Sequence, residues 1–90
     1  MALSATRKEI FPVGNHICAI YDLSFASVTG AALVTGMNNV LFASYSPRTS
    51  DNHGIVYPNY SDTGTTAAAG TIYIDSVTAN DYGRLMVVGY

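Results

Sequence analysis

Few residues in this chain are of types that do chemistry. His16 and Cys18 stand two apart in an apolar run, an H-x-C pair whose side chains would share one face of a strand. His53 lies far downstream in a polar stretch. A zinc site takes three or four ligands in a small volume, and nothing else near the pair has ligand spacing. The carboxylates are Glu9, Asp22, Asp51, Asp62, Asp75 and Asp81. Most fall in or beside turns, where aspartate is favoured for hydrogen bonds to nearby backbone. Asp51-Asn52 and Asp62-Thr63-Gly64 lack the ligand spacing of a calcium loop. No serine sits in a nucleophile elbow, and no glycine-rich loop has a phosphate-cradling pattern. Cys18, between Ile17 and Ala19, has no neighbouring base or cation, so it reads as a buried, inert thiol. The expectation is a protein that is not an enzyme, with no cofactor, no metal and no small-molecule substrate.

Composition points instead to contact between proteins. The chain has 90 residues, of which 49% are hydrophobic and only 11% charged. The usual charged share is about 25%. A body this small has a high surface-to-volume ratio, so apolar surface is left over after its core is filled. The natural cover for that surface is another subunit, which predicts a homo-oligomer. The net charge of −2 gives no field for a polyanion, so no direct nucleic-acid contact is expected. Arg7 and Lys8, followed at once by Glu9, read as a solvated pair. The seven tyrosines lack accompanying cations and suit interfaces better than base stacking. Tyr57, Tyr60 and Tyr90 are the candidates. No signal-type apolar region follows an N-terminal charge, and no apolar run is long enough for a span, so no membrane partner is expected. Asn59-Tyr60-Ser61 matches a glycosylation sequon by chance under that reading.

The elements that must position these residues are strands. From His16 to Phe25 the chain alternates, with Ile17, Ala19, Tyr21, Leu23 and Phe25 on one face. Val40 to Ser46 is β-branched and aromatic. Val40, Phe42 and Ser44 are expected on one side, Leu41, Ala43 and Tyr45 on the other, both sides covered. Ser46 to Gly54 is the clearest loop. Ile55 to Tyr60 is a strand whose Pro58 places it at a sheet edge or ends it. Thr71 to Val77 and Arg84 to Tyr90 complete the set, the last with no polar face, hence central or interfacial. Strands are predicted near 16–25, 39–46, 54–60, 70–77 and 84–90, with under a tenth of the chain helical. Residues 1–13 carry Ile10, Phe11 and Val13 without period and end near Pro12, so they read as an extended arm on a single domain over 14–90. Deleting residues 2–12 is expected to leave that domain folded. The predicted class is all-β: one small antiparallel β-sandwich or β-barrel with an extended N-terminal arm.

The stretch Val34-Thr35-Gly36-Met37-Asn38-Asn39-Val40-Leu41-Phe42-Ala43-Ser44, the strand Gly70-Thr71-Ile72-Tyr73-Ile74 and the ending Arg84-Leu85-Met86-Val87-Val88-Gly89-Tyr90 resemble small β-rich virion proteins of tailed bacteriophages. In these a "TGL/TGM" turn precedes a strand, and the chain closes on an apolar strand ending in Gly plus one residue. The resemblance spans roughly the C-terminal two-thirds of the chain. It implies a virion structural protein made in the host cytoplasm, on the capsid exterior as a decoration or cement protein, with the major capsid protein as partner. A tail or baseplate component and a host-surface-binding module using loop 46–54 are the alternatives. The expected contact residues are Ile10, Phe11, Val13, Tyr57, Tyr60, Met86, Val88 and Tyr90.

Overall fold

The computed structural model describes residues 3–62 and 66–90. Seven strands follow one another: β1 (Leu3–Val13), β2 (His16–Phe25), β3 (Ala31–Val34), β4 (Val40–Pro47), β5 (Ile55–Tyr60), β6 (Ala67–Asp75) and β7 (Tyr82–Gly89). Among the described residues there is no helix. The strands form two antiparallel sheets, one ordered β1-β2-β7-β4 and the other β3-β6-β5, and neither closes into a barrel. Thr63 and Gly64 of the Asp62-Thr63-Gly64 stretch lie outside the described residues, as do residues 1 and 2.

The inner faces of the two sheets share one core. Ala19, Tyr21, Leu23 and Phe25 of β2 meet Ile72 and Ile74 of β6 and Leu85 and Val87 of β7. The period of two along β2 is therefore what a half-buried strand requires. Each large apolar side chain fully enclosed here contributes about 1.5–3 kcal/mol from transfer out of water. Strand β7 lies between β2 and β4, with Leu85 and Val87 turned to the core and Arg84 and Met86 exposed on the outer face. Its Gly89 is there because a Cβ would run into the Asn39 carbonyl oxygen and the Val40 backbone. Pro58 lies on β5, an edge strand of the three-stranded sheet, where a missing N–H costs no ladder bond.

Two expectations change. Residues 3–13, expected as an arm, are paired along their length with β2 as the edge strand β1. Leu3 enters the core, while the ten residues after it are exposed. A strand that exposes both faces has no alternation to display, and a bulge between Arg7 and Glu9 breaks what period there is. In β4 a second irregularity falls between Val40 and Phe42. Val40 stays in the core, but Phe42 turns to the outer face, and Ala43 and Tyr45 take over the inner one. Phe42 is 48% exposed, so the outer side of β4 is not covered as expected.

The Asn59 side chain joins the two sheets. Asn59 sits at a positive φ of 64°, in the left-handed region that asparagine tolerates. Its Oδ1 accepts from the N–H groups of Val40 at 2.9 Å and Gly70 at 3.1 Å. Its Nδ2 donates at 2.8 Å to the Val40 carbonyl and to Asn39 Oδ1. An amide committed in this way is not free to carry a glycan, so the sequon at Asn59 serves structure instead. Gly70, with φ 81°, lies so close to the Met37 carbonyl oxygen that no side chain fits.

Candidate functional site

Opposed residues of an antiparallel sheet project to the same side. On the outer face of the four-stranded sheet the pairings Phe11↔Cys18, Cys18↔Val88 and Val88↔Phe42 form one apolar row across all four strands. The next row runs Glu9, Ile20, Met86, Ser44, and beyond it Asp22 pairs with Arg84. Phe42, Phe11 and Met86 stand out from the sheet, 48%, 40% and 39% exposed. Cys18 is buried at the floor of the row. Its thiol thus serves as apolar packing and is shielded from reagents.

The face grades from apolar to charged. Arg84 Nε donates to Asp22 Oδ1 at 3.0 Å, and Lys8 Nζ lies 4.0 Å from Asp22 Oδ2. These exposed pairs contribute little stability. Set at one margin of an apolar face, such charges are able to orient a surface placed against it. Ile20, Ser44, Ser46, Arg84 and Met86 border a shallow hollow of about 220 Å³ where the two halves meet. Such a surface can bury apolar area and read the sign of a charge.

Of the eight expected contact residues, the structure gathers Phe11, Val13, Met86 and Val88 on this face. Ile10 points to the other side of β1. There, with Arg7, Ile17, Tyr21, Met37 and Tyr90, it lines a cleft of about 300 Å³ between the inner side of β1 and β2 and the connection from β3 to β4. Tyr90 sits at the end of β7, its ring edge-on to His16 with centroids 6.2 Å apart. Tyr57 pairs with Tyr73 in the three-stranded sheet, rings 6.4 Å apart, and so belongs to a different surface. Tyr60 is half-buried beyond the β5 irregularity, opposite Ala67. Sequence reasoning missed Phe42 and Ile20 as members of the face. Ile20 was legible from the period of β2, whereas the bulge hid Phe42.

The chemistry-bearing residues do not converge. Among the described residues no three or more of His, Cys, Asp and Glu gather as a metal set. His53 Nδ1 lies 3.5 Å from the Tyr45 carbonyl oxygen, remote in sequence and role from His16. Asp81, the one buried carboxylate among the described residues, accepts from the Ser50 hydroxyl at 2.9 Å, the Tyr82 N–H at 2.8 Å and both donors of Thr49. Burial alone would push its carboxyl up. The hydroxyls of Thr49 and Ser50 and the N–H groups of Thr49 and Tyr82 outweigh burial and hold it below the usual range. The Tyr45 hydroxyl beside it is buried with no hydrogen bond of normal geometry. Burial first, and then the Asp81 charge, push that phenol up to about 12. Asp81, through Thr49 and Ser50, anchors loop 46–54 to the turn before β7.

Comparison with known proteins finds no matching family model, no matching curated protein and no matching solved structure.

Proposed function

We propose that this is a virion structural protein of a tailed bacteriophage, a capsid decoration or cement protein built as a small β-sandwich, working by passive attachment to the major capsid protein on the outside of the head. The observation that carries the reading is the apolar row Phe11, Cys18, Val88, Phe42 on the outer face of the four-stranded sheet. A flat, mostly apolar face with a charged margin suits a subunit surface. Covering Phe11 and Phe42 fully would contribute about 1.5–3 kcal/mol each before the costs of association. A protein that binds only the assembled lattice stabilises it by mass action. The sequence resemblance supplies the virion setting. Loop 46–54 commits its Thr49, Ser50 and Asn52 side chains to internal bonds, which favours attachment through the sheet face over recognition of a host surface by the loop.

The test is electron microscopy and composition of particles made with the full chain, with no chain, and with Phe42→Asp. Density on heads that disappears with Phe42→Asp is the expected result. Density confined to tails would instead mark a tail or baseplate component, and absence from particles of every kind would overturn the virion reading.

A further inference from the structure

We infer that two copies of this chain join edge to edge through β1, making one continuous eight-stranded sheet about a two-fold axis. This inference stands on the fold alone, apart from the virion reading. Strand β1 is an outer edge of its sheet, with β2 as its one neighbour there. Ten of its eleven residues are exposed, Ile10, Phe11 and Val13 among them. An edge of this length presents a row of unpaired N–H and C=O groups that templates another strand.

The side-chain pattern selects which strand. At the bulge, Lys8 and Glu9 both lie on the outer side: Lys8 reaches Asp22, and Glu9 pairs with Ile20. Arg7 and Ile10 lie on the inner side, where both line the cleft. A two-fold axis perpendicular to the sheet keeps inner faces together. Antiparallel pairing of two β1 strands about an axis at the bulge then sets Thr6 across from Phe11, Arg7 across from Ile10 and Ser4 across from Val13, each pair on one face. At the centre, Lys8 of each copy meets Glu9 of the other, giving two reciprocal opposite-charge contacts. Sliding one step in one direction opposes Arg7 to Arg7. Sliding one step in the other sets Lys8 and Glu9 against Phe11. Charge complementarity therefore favours the centred pairing, and the bulge, the charges and Pro12, which blunt an edge toward foreign strands, exclude the other registers.

Sedimentation of the full chain is expected to show a concentration-dependent dimer of the 9.5 kDa chain. Lys8→Glu sets like charges together twice and is expected to weaken the dimer roughly tenfold, while Lys8→Glu with Glu9→Lys restores it. In a Cys18→Ser background, Ser4→Cys with Val13→Cys is expected to give disulfide-linked dimers on mild oxidation. A chain that stays monomeric at every concentration overturns the inference. So does a dimer that ignores the charge variants and does not cross-link, since its interface lies elsewhere.

Discussion

Thr49 donates twice to one oxygen of Asp81: its backbone N–H lies 3.2 Å from Oδ1, and its hydroxyl donates to the same atom. The two residues are 32 positions apart, so this contact closes loop 46–54 onto the turn that starts β7. Asp81→Ala would take the shared acceptor from Thr49, Ser50 and the Tyr82 N–H; Asp81 is buried but Thr49 is exposed, so water replaces part of what is lost. The expected loss is about 1–3 kcal/mol. That is a measurable part of the roughly 5–13 kcal/mol expected for a domain of this size. Urea unfolding measures it, and a loss within error of zero would mean that water satisfies the loop.

The same carboxylate gives an acid signature. Its folded-state pKa is lowered, so the unfolded chain takes up the proton first. The stability it contributes is complete above the ordinary carboxylate value of 3.8 and is lost as pH falls below that toward the folded value. Asp81→Asn is expected to flatten the acid limb of a plot of stability against pH. An unchanged limb would assign acid unfolding to other carboxylates.

Tyr45 gives the alkaline counterpart. Its folded pKa is raised to about 12 from 10.0, so the folded protein keeps a proton that the unfolded chain loses. Stability from this group is complete below pH 10.0 and falls as pH rises toward 12. Tyr45→Phe removes a buried hydroxyl that lacks a hydrogen-bond partner among the described residues and keeps the edge-on ring contact with Phe25. It is expected to stabilise the protein by about 1 kcal/mol and to weaken the alkaline decline. Destabilisation instead would show that the hydroxyl has a partner in solution.

Asn59→Ala removes four hydrogen bonds and puts a less tolerant residue at positive φ. The expected cost is about 3 kcal/mol. Asn59→Asp, which keeps the acceptor and loses the donors, is expected to cost less. Thermal unfolding of both variants tests the order, and a lower melting temperature for Asn59→Asp than for Asn59→Ala would reverse it.

Deleting residues 2–12 is now expected to destabilise the fold, because it removes Leu3 from the core and unpairs one side of β2. Hydrogen exchange along β2 reports it directly. Protection equal to that of the full chain would restore the reading of these residues as a dispensable arm.

Much of this architecture was legible in sequence where a strand has one wet face and one dry face. β2 alternates because Ala19, Tyr21, Leu23 and Phe25 alone reach the core, and β7 alternates in burial likewise, with Leu85 and Val87 inward and Arg84 and Met86 outward. Turn chemistry likewise marked loop 46–54, and Pro58 marked an edge. These features depend on local period and residue type, which the sequence carries by itself. Tertiary structure decided the rest. β1 is a strand only because β2 offers it a ladder, and with Leu3 as its one core residue it has no pattern to announce itself. Phe42 belongs to the apolar outer face because an irregularity in β4 shifts its parity relative to Val40, and a one-residue shift in a period of two reverses the side of everything beyond it. Asp81 is a buried anchor because Thr49 and Ser50 arrive from a distant loop, and no spacing in the chain encodes that meeting.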